Sequence, residues 1–454
     1  MVKDMTKGAV APILIKFSLP LLISVIFQQL YSIADSVIAG NFINKDALAA
    51  IGASYPITMI FLAFGTGMNV GCSVVISMLF GAKDYKNMKT SVFTSIISSV
   101  TLGAVMTVAG YLTSGLFLRL LKTDELVFAD AQGYLNVYVF GLIFMFLYNI
   151  CNGIFAALGD SNTPLIFLII SSVSNVLADL LFVAVFKMGV MGTAWATFIC
   201  QAVCSVLAFA VLMWRIAKIK SEKFPLFRWG MLGKIAQFSV PSILQQSFVS
   251  VGNLFIQGLV NDCGVDVMAG YASAIKLNTF AVTCFSTVGN AASSFTAQNT
   301  GAGEYKRVRT GTRISSLFSL GLALVALIVY VVFANSLIYI FMDSSDADNI
   351  AAAEAGVLFL RTVSPFFLAV AFKVTLDGIL RGAGMLKAFM ISTFSDLILR
   401  VGFAFILQPR FGAEGIWLSW PGGWIIGMAI SAVFYVVYSR RVLKTAPSRE
   451  KNEG

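Results

Sequence analysis

Histidine does not occur once in the 454 residues of this chain. That absence removes imidazole catalysis, histidine metal sites and histidine proton relays together. Any proton chemistry must run on carboxylates. Charge is scarce as well: 12% of residues are Asp, Glu, Lys or Arg, against 58% hydrophobic. With a mean hydropathy of +0.85, this is not the balance of a soluble domain. Of six cysteines, none stands in a Cys-x-x-Cys pair. Five (Cys72, Cys151, Cys200, Cys204, Cys284) fall in apolar runs, where a thiol packs as a small apolar residue. No Walker or GxGxxG-type phosphate loop follows a strand pattern, which disfavours an ATP-driven motor in this chain. The lack of His, GxSxG and metal-ligand spacing disfavours an intramembrane enzyme.

What the chain has instead is a succession of apolar runs about 20 residues long or more, each able to cross a bilayer as a helix. The predicted spans are 13–39, 47–79, 90–114, 131–158, 162–186, 190–214, 234–259, 265–300, 311–335, 352–382, 386–408 and 412–438. The first run is too long for a signal peptide and no small-residue cleavage site follows it, so it reads as the first span. The runs do not alternate as barrel strands do, and a helix satisfies its own backbone in lipid. Spans 47–79 and 265–300 are long and rich in Gly, Ser and Thr, which predicts tilt or bending.

The net charge of +10 does not point to a nucleic acid, because its distribution follows the loops. Lys83, Lys86 and Lys89, the segment 215–234, Lys306 to Arg313 and the C-terminal tail place most basic residues on the side of the N-terminus. The opposite side carries only Lys45, Arg119, Lys122, Lys187 and Arg410, with Asp343, Asp346 and Asp348. By the positive-inside rule both termini are expected in the cytoplasm.

The chain is also written twice. Residues 17–40, FSLPLLISVIFQQLYSIADSVIAG, match residues 238–258, FSVPSILQQSFVSVGNLFIQG. GAKDYKNMKT (81–90) matches GAGEYKRVRT (301–310), Asn152-Gly153 matches Asp377-Gly378, Gly159 matches Gly384, and GVMGTAW (189–195) matches GAEGIW (412–417). Six spans per copy is an even number, so the copies are parallel. The expectation is an all-α membrane protein with two six-helix lobes, 1–214 and 234–440. A cytoplasmic linker (215–233) would join them, a cytoplasmic tail (441–454) would follow, and a pseudo-two-fold axis would run along the membrane normal. Such repeats put the substrate site near the lobe interface and alternate access by rocking.

These residues resemble the multidrug and toxic-compound extrusion (MATE) family over about 10–440. The likeness rests on the Phe-Ser-x-Pro helix with Gln-Gln and Asp35, the Gly-Ala-x-x-Tyr-Lys loops, and Asn175-x-x-x-Asp179 followed by Gly189-Val-Met-Gly192. It is nearest the DNA-damage-inducible-type prokaryotic branch. In the other main bacterial branch acids are expected in helices seven and ten, but here those stretches read Ser242-Ile-Leu-Gln-Gln-Ser247 and Phe366-Phe-Leu-Ala-Val370. The resemblance implies a bacterial cytoplasmic-membrane exporter of small amphipathic, often cationic compounds in exchange for H⁺ or Na⁺. It implies no cofactor, no nucleic-acid partner and a monomer among membrane lipids. It further implies a cation site, with Na⁺ as a candidate, at Asp35, Asn175, Asp179 and Thr197, and a cavity at Gln28, Asn149, Asn152 and Gln201. The competing reading is a flippase of the same superfamily for lipid-linked oligosaccharides or peptidoglycan precursors, which would favour unpaired arginines able to hold a pyrophosphate.

The residues argue toward the same site. Asp35 and Asp179 have no basic residue within a turn on their own helix, so each must be neutral, paired across helices or bound to a cation. At ~1.5 Å per residue both lie, with Thr197, at a similar depth below the outer membrane edge. Oxygen-rich clusters suit hard cations, and neighbouring desolvated carboxylates suit proton exchange. Met145 and Phe146 could supply an adaptable wall near Asn149. Pro20 removes a backbone hydrogen bond inside span 1 and predicts a kink. Asp377 has Lys373 and Arg381 one turn away, and Asp396 has Arg400, so same-helix ion pairs are as expected there as function. Lys276 would either pair with those acids or hold an anionic group. In the repeat, Asp35 falls opposite Asn253 and Asp179 near Arg400, so only the first copy keeps acids that have no basic residue within a turn on their own helix.

Overall fold

A computed structural model describes residues 3–42, 45–121, 123–342 and 349–445, without the side chains of 32–42, 45–48, 349 and 441–445. Every regular element among them is helical: α1 Val10–Phe42, α2 Lys45–Gly81, α3 Tyr85–Leu120, α4 Glu125–Phe140, α5 Leu142–Ala157, α6 Asn162–Asp179, α7 Val190–Lys218, α8 Trp229–Asn261, α9 Val265–Gly301, α10 Tyr305–Val332, α11 Ala334–Ile338, α12 Asn349–Val363, α13 Phe367–Gly382 and α14 Leu386–Thr445. Hydroxyl side chains inside the helices mostly bond back one turn, as Ser24 does to Pro20 O (2.9 Å) and Thr375 to Ala371 O (2.8 Å). A polar side chain spent in this way can sit in an apolar helix at little cost.

Nine helices of the described residues are long and apolar enough to span a membrane, or ten when α4 and α5, bent by 46°, count as one. The expected twelve differ from that number for two physical reasons. The Ser- and Thr-rich α9 is too polar to register as a span by hydropathy. The predicted spans 386–408 and 412–438 run together as the 60-residue α14, broken only at Gly412 (φ 57°, ψ −137°). Predicted span 131–158 is interrupted at Gly141, and span 352–382 by the short turn Ser364–Phe366. Span 162–186 ends in a π-helical stretch, Leu180–Val185. Pro20, expected to kink the first span, lies within α1, which continues through it as α-helix.

The repeat survives at the level of dihedral angles. Gly159 and Gly384 have φ of 73° and 79°, and Gly189 and Gly412 have 59° and 57°. Lys83 (φ 60°) occupies the left-handed position that Gly303 (φ 74°) fills in the second copy.

The chain forms two compact units, Met1–Asp4 with Leu19–Ser247, and Met5–Ser18 with Phe248–Gly454. In the first, α2 is packed by α3, α4 and α5, and α5 by α7. The irregular stretch after α7 lies on α3: Lys86 pairs with Glu222 (3.0 Å) and Phe224 stacks on Phe93. In the second, α9 is packed by α10, α12 and α13, and α13 by α14. Gly378 lies so close to Gly289 that a β-carbon would stand 2.1 Å from the Gly289 oxygen. An aromatic core of Tyr271, Phe359, Phe367, Trp417, Trp420 and Trp424 fills the other side of α9 and α13. Arg307 fastens the segment before α1 into this unit, donating to the carbonyls of Met5 (3.1 Å) and Gly8 (2.7 Å) and to Asn299 Oδ1 (3.0 Å).

Candidate functional site

In the first unit α1, α5, α6 and α7 enclose a cavity of about 160 Å³, lined by Gln28, Tyr31, Tyr148, Ser171, Ser172, Asn175, Thr197, Cys200 and Gln201, among others. Ser171, Ser172, Asn175 and Asp179 recur at helical spacing, so α6 turns one polar stripe inward. Asp179 is the last residue of regular α-helix before the π-helical stretch, a register change often found at functional sites. Asp179 is fully buried and Asn175 is 4% exposed.

The amide of Asn175 joins the elements. In the orientation that satisfies its neighbours, its nitrogen donates to Asp179 Oδ2 (2.8 Å) and the Tyr31 hydroxyl (2.9 Å), and its oxygen accepts from the Thr197 backbone N–H (3.2 Å). The Thr197 hydroxyl stands 3.4 Å from the same amide. Asn175, Asp179 and Thr197 therefore come together. Asp35 sits on α1 one turn beyond Tyr31, on the same face, and its side chain lies outside the described residues.

Of the four cavity residues expected, Gln28 and Gln201 line this cavity and Asn149 and Asn152 are not among its lining residues. The Asn149 amide is spent on Met145 O (2.9 Å), and its head faces Gly65. The Asn152 side-chain oxygen is buried and has no hydrogen-bond partner among the described residues. Met145 and Phe146 are buried rather than exposed to it. Several lining residues escaped the sequence reading, among them Tyr31, Tyr148, Ser171, Ser172 and Cys200. Tyr31 was legible as the residue between Gln28 and Asp35 on one helix face. Cys200, grouped with the buried thiols, lines the cavity beside Gln201.

Of the same-helix pairs expected in the second unit, Lys373 with Asp377 forms, and the other charged side chains are arranged differently. Lys373 bridges two helices: its Nζ lies 2.7 Å from Asp396 Oδ2 on α14 and 3.1 Å from Asp377 Oδ2 on its own helix. Asp377 Oδ1 also accepts from Ser392 (2.9 Å) and Ser431 (2.6 Å). The absent side chain of Gly427 makes the bridge possible, since a β-carbon there would stand 2.9 Å from Lys373 Cε. Asp396 is thus paired with Lys373, while the Arg400 guanidinium lies over the Trp420 ring (4.3 Å) and reaches Asn253 Oδ1 (3.4 Å). Arg381 turns to Asn290 (2.7 Å). Lys276 is exposed on α9 over Phe341, apart from both acids.

The family model MatE matches residues 20–181 and 241–406. The chain belongs to the MatE family. It is 29% identical over 434 residues to a protein of Bacillus subtilis (strain 168) named "Probable multidrug resistance protein YpnP", covering 95% of this chain and 96% of that one. The multidrug export protein MepA of Staphylococcus aureus (strain MSSA476) is 23% identical, with 97% of each chain covered. Among solved structures, an outward-facing multidrug resistance MATE family transporter of the MOP superfamily superposes with a TM-score of 0.90. It shares 23% identity and covers 97% of this chain and 98% of its own. A MOP superfamily transporter from Pyrococcus furiosus, described as having a binding pocket of reverse polarity, superposes at 0.91 with 22% identity, covering 97% of this chain and 98% of its own. The MatE-family chain is accordingly an all-helical integral membrane protein with the two-lobed fold of these transporters.

Proposed function

We propose that this MatE-family chain is a secondary active multidrug exporter. It moves small amphipathic, often cationic compounds out of the cell and takes up H⁺ or Na⁺ in return, by alternating access. Its place is the bacterial cytoplasmic membrane, with both termini cytoplasmic. One observation carries the reading: Asn175, Thr197 and Tyr31 line a cavity with Gln28, Tyr148 and Gln201, and the Asn175 amide is bonded to the buried Asp179.

In this reading Asp35 and Asp179 hold the coupling cation. A buried carboxylate exchanges a proton or a small hard cation because its charge is costly in low dielectric without one. Asn175 reports that occupancy to α1 through Tyr31 and to α7 through Thr197. Pro20 lacks the N–H that would resist bending of α1 at that point. Occupancy of the site changes the shape of α1 around Pro20 and drives the compound out of the cavity. The aromatic faces of Tyr31 and Tyr148 and the adaptable amides of the two glutamines suit cations without fixed hydrogen-bond geometry.

Efflux of ethidium or norfloxacin from proteoliposomes, under a pH gradient alone or a Na⁺ gradient alone, tests this. The wild type responds to one of the gradients and Asp179→Asn and Asp35→Asn lose the response. Undiminished gradient-driven efflux by either variant would refute the site.

The flippase reading needs basic side chains able to hold a pyrophosphate. Of Lys276, Lys373, Arg381 and Arg400, Lys373 is spent on two aspartates and Arg381 on Asn290, which leaves Arg400 and the exposed Lys276 for that reading to rest on.

A further inference from the structure

The glycine turns that share dihedral angles fix the register of the two copies more finely than sequence identity does. Asn175 stands sixteen residues after Gly159, and Arg400 sixteen after Gly384. Thr197 stands eight after Gly189, and Trp420 eight after Gly412. Asp35 stands five before Gly40, and Asn253 five before Gly258. One corresponding pair also meets in space, while the α1 and α8 partners stand one turn apart in register, Tyr31 in the first copy and Asn253, the counterpart of Asp35, in the second. Asn175 contacts Thr197 and the α1 residue Tyr31 in the first unit; Arg400 contacts Trp420 and the α8 residue Asn253 in the second.

The chemistry at the two places is inverted. The first unit gathers oxygens at its place: a carboxylate, a phenol, a carboxamide and a hydroxyl. The second unit places a guanidinium there. Arg400 is 5% exposed and its head lies on the Trp420 ring face, the preferred seat of a guanidinium. Its hydrogen bond to Asn253 is 3.4 Å long, and its Nε has no hydrogen-bond partner among the described residues. An ion pair built for stability would not leave that donor empty. Asp396, one turn before Arg400, is held by Lys373. The second copy of the site is therefore supplied with cations by the chain itself.

We propose that Arg400 is a resident cation. Its guanidinium permanently fills, in the C-terminal unit, the place at which the N-terminal unit takes an exchangeable ion, so each molecule has one exchangeable ion site instead of two. The proposal deepens the exporter reading and rests on Asn175, Asp179 and Thr197 forming a cation site.

An emptied guanidinium seat should accept free guanidinium. Arg400→Ala, purified in detergent, is expected to melt below the wild type. Guanidinium chloride at low millimolar concentration should restore its melting temperature saturably by a few degrees, as a ligand of the folded state does. Urea, of similar shape but neutral, and KCl at the same ionic strength should not, and the wild type should show no such rise. Restoration by Arg400→Met to the same degree would mean that the side chain only fills volume, and would overturn the proposal. So would the absence of a guanidinium-specific shift in Arg400→Ala, or a pyrophosphate-dependent shift in the wild type that Arg400→Ala abolishes. If Arg400→Ala does not fold, Asn253→Asp with Arg400 kept should raise the melting temperature, and Asn253→Asp combined with Arg400→Gln should lose that gain. Absence of the gain overturns the proposal equally. Asp179→Asn in the same melting assay separates the two readings. If its response to Na⁺ and pH equals that of the wild type while guanidinium still restores Arg400→Ala, the exporter's ion site is wrong, and the guanidinium seat stands by itself but no longer as the counterpart of an ion site.

Discussion

Lys83 adopts a left-handed backbone conformation (φ 60°) in the loop between α2 and α3, where the second copy has Gly303 at φ 74°. A residue with a β-carbon in that region strains its backbone by roughly 1 kcal/mol. Asp84 next to it caps α3, accepting from the Asn87 N–H at 3.1 Å, which fixes the loop geometry. Lys83→Gly should thus stabilise the first unit by about 0.5–1 kcal/mol, less the extra entropy glycine brings to the unfolded chain. A melting temperature below the wild type would contradict this. At the same scale, Asn175→Leu should abolish ion-driven efflux while leaving the fold intact. It removes the amide that bonds Asp179 and Tyr31 together but keeps the volume. Retained coupling in a proteoliposome efflux assay would show that the amide is not part of the site.

Between helices, the Lys373 ammonium, with the Ser392 and Ser431 hydroxyls on Asp377, ties α13 to α14. Lys373 is 3% exposed and holds Asp377 and Asp396. Removing the shared partner of a buried pair typically costs 3–5 kcal/mol, because an uncompensated charge remains. Lys373→Met should destabilise the second unit by about that amount, and adding Asp396→Leu should recover part of it, read as melting temperatures of the single and double variants. Equal stability of Lys373→Met and wild type would remove the bridge from the account. The contact of Gly378 with Gly289 makes a second joint. Gly378→Ala would drive a methyl into the Gly289 carbonyl and must separate α9 from α13, so a loss of about 1–3 kcal/mol is expected. These joints show what sequence could and could not supply. The polar stripe Ser171 to Asp179 and the Gln28–Tyr31–Asp35 face were legible, because helical periodicity brings residues of one helix together. The partner of Asp396 was not: periodicity pointed to Arg400 one turn away, whereas Lys373 reaches it from another helix, in a space that Gly427 leaves open. The place of Asn149 was missed likewise, since its amide is spent on its own helix and its spacing cannot reveal that.

For the molecule as a whole, the repeat was legible from identities such as Phe-Ser-x-Pro and Gly-Ala-x-x-Tyr-Lys. The number of spans was legible only because apolar length was read without regard to breaks such as Gly141 and Gly412. The orientation rests on the loops. Lys83, Lys86, Lys89, Lys306, Arg307, Arg309 and Arg313 flank the starts of α3 and α10, and the stretch after α7 is basic through Lys218, Lys220, Lys223 and Arg228. The loops joining α1 to α2 and α3 to α4 carry Lys45, Arg119 and Lys122 alone. Basic residues next to span ends hold a loop in the cytoplasm, so the α2–α3, α7–α8 and α9–α10 connections should lie inside with both termini. Fusions read this directly. A green fluorescent protein joined after Lys220 or at the C-terminus should fluoresce, and alkaline phosphatase joined after Leu121 should be active in the same cells. Active phosphatase at the C-terminus would invert the topology. Asp35, Asp179 and Thr197 would then approach the cytoplasmic face, and the direction of the proposed exchange would have to be reversed with them.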